Sequence, residues 1–584
     1  MKLNNPMQHA RRRSTGPLGG LLLILCLLLG LPLQAAQPPG QAIATAHPLA
    51  TRAGVAMLRQ GGNAFDAAVS VAAVLAVVEP YGSGLGGGGF WLLHRAADGH
   101  ETLLDGRETA PLQARAELYL DAQGHADPEL SLNGPLAAAI PGVPAALERL
   151  ARDYGKLPLS ASLAPAIRLA REGFVVDQSL RHYIQMRREV LARSPATASI
   201  FLIDGEAPPL GSSIRQPDLA RSLELIAEQG ADAFYRGELA QRLVEGVRGA
   251  GGIWQQADLS RYQLVEREPL RGEFLGMRIS AAPPPSSGGA TLIQALNLME
   301  QIPEQLDDEV GRIHWLTESL RRAYRDRAEF LGDADFVEIP LDRLLSKDRA
   351  RQLAADIDPL RASASADLPP IPPDQSKKGT KGEDTSHYSI IDAEGNRVAA
   401  TLSINTPFGS GFMVPGTGIL LNNQMDDFAI QPGSPNAYGL VGAQANALAP
   451  GKRPLSSMAP TFLETANGLA ILGTPGGSRI ISMVLLTSLG HYGGASAGEL
   501  VARPRFHHQY LPDQLLHEPD VFRPELAQRL TAMGHRLQPS SGGKDGNGRY
   551  GNMQLVLWRK DQNRLEAASD PRGIGCSWVE TEDK

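Results

Sequence analysis

The residues that could do chemistry in this chain are hydroxyls and glycines in its last third. Asp384-Thr385-Ser386-His387-Tyr388-Ser389 carries three aliphatic hydroxyls and an imidazole. It stands where a Pro- and Lys-rich stretch gives way to an apolar pattern. Lys452-Arg453-Pro454-Leu455-Ser456-Ser457-Met458 places two more hydroxyls in a loop. Gly473-Thr474-Pro475-Gly476-Gly477-Ser478-Arg479 precedes a helical pattern, and successive glycine amides at a helix start can donate two N–H bonds to a developing oxyanion. A hydroxyl nucleophile and an oxyanion pocket are the parts for attack on a carbonyl, although a threonine at a strand start is by itself ordinary.

Other chemistries are absent by motif. There is no G-x-S-x-G elbow and no Walker lysine. His507-His508 are adjacent side chains that share no face, and His517-Glu518 lacks the second histidine of a zinc-protease helix. Both pairs are expected to be structural, with no metal or cofactor. Gly82, Gly84 and Gly87 match G-x-G-x-x-G, but a helical pattern precedes them and the strand-like Phe90-Trp91-Leu92-Leu93 follows. A dinucleotide site needs the reverse order. Tight backbone packing is the better reading.

The elements that must position these residues follow from periodicity. Ala53 to Val78 reads as one helix. The stretch from 141 to 360 is mainly helical, with Pro144 to Asp153 and Gly311 to Leu331 as examples. Ala281 to Gly289, with three prolines, reads as a rigid turn into a further helix. Residues 363–383 are polar, Pro- and Lys-rich, and read as an exposed linker. Beyond it the pattern turns to β. Tyr388 to Asp392 and Val398 to Ile404 form a hairpin, and Ile419 to Leu421, Phe462-Leu463 and Leu469 to Leu472 are further strands. Ile480 to Leu489 reads as a helix, which gives a layered α/β arrangement.

The chain has 584 residues and a net charge of −7. Arg11, Arg12 and Arg13, an apolar run from Leu18 to Leu31, and Leu33-Gln34-Ala35 together read as a secretory signal cleaved after Ala35. The run is shorter than the roughly 20 residues that span a bilayer, which disfavours a membrane anchor. Leu25 before Cys26 disfavours a lipoprotein signal. Loss of Lys2 and the three arginines takes the net charge to −11, which disfavours nucleic acid as a partner. With Cys26 removed, Cys576 has no intramolecular disulfide partner. A periplasmic or secreted protein without a stable membrane span is expected.

The motifs in order resemble those of the γ-glutamyltranspeptidase family. They are Thr385 to Ser389, Leu421-Asn422-Asn423-Gln424-Met425-Asp426-Asp427-Phe428, Arg453 to Met458, and Pro475 to Arg479. Asp105-Gly106-Arg107-Glu108, Pro283 to Gly289 and Pro504-Arg505-Phe506-His507-His508 extend the likeness to nearly all of the chain after the signal. The resemblance implies an N-terminal-nucleophile hydrolase fold of stacked α, β, β and α layers. It implies a large subunit, residues 36–384, and a small catalytic subunit, residues 385–584, cut from one precursor and held as a heterodimer. Thr385 matches the nucleophile. Gly476 and Gly477 match the oxyanion hole. Arg107, Ser456 and Ser457 match the groups around the donor's α-carboxylate, and Asn405, Gln424 and Asp427 those around its α-amine. An arginine and an acid at opposite ends of a pocket would suit that zwitterion. Tyr438 falls in the stretch that resembles a lid loop. Ser403 stands where the family usually has threonine, keeping the hydroxyl but losing the methyl that limits its rotamers. The implied substrates are glutathione and other γ-glutamyl compounds, with water, amino acids or peptides as acceptors. The alternatives are a glutaryl or cephalosporin acylase of the same superfamily, and an exported binding protein that stays uncut.

Overall fold

The computed structural model describes residues 37–306, 308–368, 385–519, 521–540 and 550–581. Residues 1–36, which include the expected signal, and residues 369–384 lie outside the described residues. Residues 38–584 form one unit built on two antiparallel sheets.

The first sheet has seven strands in the order Cys576–Thr581, Gly40–Thr45, Ser386–Ile391, Arg397–Ser403, Gly88–Arg95, His100–Gly106, Val265–Arg267. The second has six, in the order Arg564–Ser569, Gln554–Arg559, Gly468–Gly473, Thr461–Glu464, Met277–Ala281, Leu270–Phe274. The sheets pack face to face through the strands that carry Ser389, Ala399 and Ile471. Side chains alternate along each strand, so each sheet feeds two cores. In the first sheet Ile43, Trp91, Tyr388, Ile390 and Val398 pack on the helices Pro48–Arg59 and Ala64–Val78. Their neighbours Ala42, Ala44, Phe90, Leu92, Ile391 and Ala399 join the core that contains the second sheet. The helices Gly288–Met299, Glu309–Phe330 and Ile480–Tyr492 cover that sheet's other side. The expected αββα sandwich is present.

The sequence-based elements hold with two corrections. The single helix expected over 53–78 is two helices, broken at Gly61, whose φ is +85°. Asn63 starts the second with a capping box, accepting from the Phe65 and Asp66 N–H groups while Asp66 accepts from the Asn63 N–H. Apolar spacing continued across the break and hid it, whereas the Gly-Gly-Asn triplet marked it. Likewise, the start of the polar stretch read as exposed is anchored. The Ser363 N–H donates to Glu318 (3.1 Å), and Ser365 is buried with its N–H on Asp513 (2.9 Å).

The glycine run after Glu79 packs backbone against backbone, as expected. A Cβ at Gly86 would strike the Leu420 carbonyl, and one at Gly87 the Ser403 carbonyl. This contact seats the strand Gly88–Arg95 beside Arg397–Ser403 in register, Gly88 opposite Ser403.

Candidate active site

Thr385 immediately precedes the strand Ser386–Ile391, at the seam between the sheets. The Ser389 hydroxyl donates to the Gln554 carbonyl of the second sheet, and the His387 ring lies against Gly473. Thr385 shares that inter-sheet face by alternation, while Ser386 turns the other way and donates to Glu79 (2.9 Å). In the hairpin His387 pairs with Thr401 and Ser386 with Leu402. The next step along the ladder sets Ser403 against Thr385, and their hydroxyl oxygens are 3.0 Å apart. Ser403 Oγ also accepts from the Asn405 N–H (2.9 Å).

Around this pair lies a cleft of about 330 Å³. Thr385, Ser403, Asn405, Gln424, Asp427, Tyr438, Ser456, Ser457, Gly477 and Arg107 line it, together with Arg327, Leu440, Leu455, Met458 and Ile480. Every expected site residue is there except Gly476, which sits one residue behind the wall with φ +137°, against Met483. Gly477, at φ +56°, opens the turn into the helix Ile480–Tyr492. It has no room for a side chain because the Tyr438 ring lies on it. Tyr438 in turn donates from its hydroxyl to the Asn405 carbonyl (2.8 Å) and crosses the cleft as a bar.

Two knots of polar bonds hold the walls. Asn422 donates to the Gly86 and Ala139 carbonyls (2.7 and 2.8 Å) and accepts from the Gln424 N–H (2.9 Å). Asn405, at φ +80°, donates to the Asn423 carbonyl (3.0 Å). On the opposite side the Ser456–Ser457 loop is clamped by the Pro-rich turn. The Ser456 N–H donates to Pro285 O (2.8 Å), and the Ser287 N–H and hydroxyl donate to Ser456 O (2.8 and 2.7 Å).

One expectation about charge is corrected. Arg107 and Asp427 are not at opposite ends of the pocket; they form an ion pair of 2.6 Å. Arg107 also meets Glu108 (3.3 Å) and donates to Pro454 O (3.0 Å), and it is 1% exposed. Two desolvated charges of opposite sign on one wall neutralise each other. Burial raises the Asp427 carboxyl, against the pull of Arg107. Burial pushes Glu108 up to about 7, again with Arg107 opposing.

His507, His508 and His517 are held as structural groups, bonded to Ser482, Asp513 and Glu518 O respectively. A group that no motif announces, His314, Glu318 and His535, brings its polar atoms within 4.8 Å of one another. Most of its atoms are already taken, His535 Nδ1 being the buried exception. The two imidazoles bond each other (2.8 Å), the second His314 nitrogen meets Asp358 O, and Glu318 pairs with Arg321 and Arg322. A cation there would face two guanidinium groups. Arg327 is the lining residue of most consequence that sequence reasoning missed. It lies in the charged run Arg321-Arg322-Ala323-Tyr324-Arg325-Asp326-Arg327, where nothing separates a pocket arginine from its neighbours.

The γ-glutamyltranspeptidase family model matches residues 50–578. The chain belongs to that family. A glutathione hydrolase proenzyme of Escherichia coli strain K12 is 40% identical over 541 residues, covering 91% of this chain and 90% of its own. Among solved structures, a cephalosporin acylase from Bacillus halodurans superposes with a TM-score of 0.81 at 27% identity, covering 100% of both chains. The γ-glutamyltranspeptidase of Helicobacter pylori is 38% identical with a TM-score of 0.54, over 57% of this chain and 96% of that one. Among the described residues no helix is long and apolar enough to cross a membrane.

Proposed function

We propose that this family member is an exported γ-glutamyltransferase and glutathione hydrolase that cuts itself before Thr385 and then works through the Thr385 hydroxyl. The observation that carries this reading is the Thr385–Ser403 pair in a cleft whose opposite wall holds Arg107, Asp427, Ser456 and Ser457. Cleavage of the 384–385 bond frees an α-amine with a pKa of about 8, a base on the nucleophile's own residue. The amine takes the hydroxyl proton as Oγ1 attacks the γ-carbonyl carbon of the donor. The developing oxyanion is received by the N–H groups of Gly476 and Gly477. The proton passes to the departing nitrogen, the C–N bond breaks, and a γ-glutamyl ester of Thr385 remains. Water or an acceptor amine then attacks the ester and restores the hydroxyl. Ser403 supplies a hydrogen bond to Thr385 throughout.

The donor's ammonium is assigned to Asp427, Asn405 and Gln424, and its carboxylate to Arg107, Ser456 and Ser457. Binding of the zwitterion exchanges the Arg107–Asp427 pair for two pairs with the ligand. The likeness to a cephalosporin acylase makes a glutaryl donor the reading to exclude. Turnover of γ-glutamyl and glutaryl anilides by the purified enzyme tests this directly. A preference for the glutaryl compound would reverse the assignment, because that donor has no ammonium for Asp427.

A further inference from the structure

The helix Glu309–Phe330 ends beside the cleft, and its last turn delivers Arg327 into the wall. Arg327 is 4% exposed. Its Nε donates to Ser287 Oγ (2.9 Å) and its Nη2 to Ser457 Oγ (3.2 Å). Among the described residues it has no ion-pair partner. The other arginines in the run do: Arg321 and Arg322 pair with Glu318, and Arg325 pairs with Asp326 and Glu329. Arg107, which also lines the cleft, is likewise committed to Asp427 and Glu108.

A desolvated guanidinium bonded only to neutral hydroxyls is poorly compensated. The carbonyl ends of its own helix offset part of its charge, and an anion in the cleft would offset the rest. Burial lowers the Arg327 pKa to about 10, with Tyr324 and Asp427 opposing, so it stays protonated near neutral pH.

We propose that Arg327 is a positioning and specificity-determining residue for the donor's α-carboxylate, holding Ser457 in place and facing the carboxylate with a guanidinium that makes no direct ion pair among the described residues. The proposal rests on the reading of the cleft as a γ-glutamyl donor site. It divides the labour between the two arginines. Arg107 sets the position of Asp427, and Arg327 supplies the field that makes the Ser457 wall select an anion.

The test compares two donors on the self-cleaved enzyme: L-γ-glutamyl-p-nitroanilide and its α-carboxamide analogue, which has nearly the same shape without the negative charge. Arg327→Gln is expected to lower kcat/KM about a hundredfold for the carboxylate donor, mainly through KM, and less than about threefold for the carboxamide. Arg327→Lys should recover part of the preference. An equal fall on both donors would overturn the proposal and make Arg327 a structural residue. If Arg327→Gln does not self-cleave, the variant is expressed as residues 36–384 together with a small subunit starting at Thr385, and the same two-donor ratio decides. The same loss of the carboxylate preference is expected there, and an unchanged ratio would overturn the proposal. An unmutated enzyme that turned over neither anilide would instead count against the donor-site reading itself.

Discussion

His387 lies two residues after Thr385 on the same face and is the obvious competitor for the role of base. Its surroundings argue against it. Nδ1 meets the Thr401 hydroxyl (2.8 Å), Nε2 meets the Ser389 hydroxyl (3.1 Å), and burial pushes its pKa down to about 3. So weak a base, with both nitrogens engaged, suits the sheet interior. With residues 36–384 and a small subunit starting at Thr385 expressed together, His387→Ala should keep acylation within about tenfold, since losing a general base costs about 10²–10⁴. A thousandfold loss in a properly assembled variant would make the imidazole the base. At Asp427, exchange for Asn should weaken γ-glutamyl donors by about 2–5 kcal/mol and spare glutaryl donors. Equal losses in kcat/KM would mean that the acid only steadies Arg107. Glu108 gives a pH prediction. Its folded pKa, about 7, lies above the ordinary 4.5, so the folded state binds the extra proton between those values. Its contribution to stability is therefore most favourable at and below pH 4.5 and declines as pH rises toward 7. Melting curves across this window should show a shallower decline for Glu108→Gln than for the unmutated enzyme. Parallel curves would show that Glu108 does not titrate there.

At the level of elements, the hairpin is what makes the Thr385–Ser403 pair, because its ladder sets the two positions opposite each other. Ser403→Ala should slow both self-cleavage and turnover, by about tenfold for a hydrogen bond worth about 1.4 kcal/mol. Ser403→Thr should match or exceed the native rate, since the β-methyl limits the hydroxyl's rotamers. Cleavage followed on a gel against time separates these outcomes, and an unchanged rate in Ser403→Ala would leave that hydroxyl without a role. The hairpin was legible in the sequence because its apolar residues are dense and a Gly-Asn turn divides them. So were the helix from Ile480 and the glycine turn before it. What was not legible depends on contacts between distant segments. The Arg107–Asp427 pair joins positions far apart in the chain, and each residue's type is as consistent with opposite ends of the pocket as with contact. Arg327 is one of four arginines in seven residues, and only the helix's docking angle selects it. The strand Val265–Arg267 is partly exposed at a sheet edge and has no apolar run to announce it.

On the scale of the whole molecule, both sheets are shared across the proposed cut. Residues before it supply four strands of the first sheet and two of the second, and residues after it supply three and four. Severing the 384–385 bond breaks no strand pairing. Fragments of 349 and 200 residues, 36–384 and 385–584, should therefore co-purify and part only on unfolding. Thr385→Ala should remain one chain. Cleavage at the same bond in that variant would rule out self-processing by this hydroxyl. The described end of the first fragment is tied down as well, through Ala362 N–H to Met533 O (2.7 Å) and the bonds of Ser363 and Ser365. The outermost strand of the first sheet has a further consequence. Thr581 stands directly across from Gly40 in the ladder, so the two ends of the fold are neighbours. A short loop from 581 to 40 would let the gene be rewired into a circular permutant that opens at Thr385. Once the initiator methionine is trimmed, translation itself would deliver the free amine, and the maturation chemistry could be deleted while the catalytic cycle is kept.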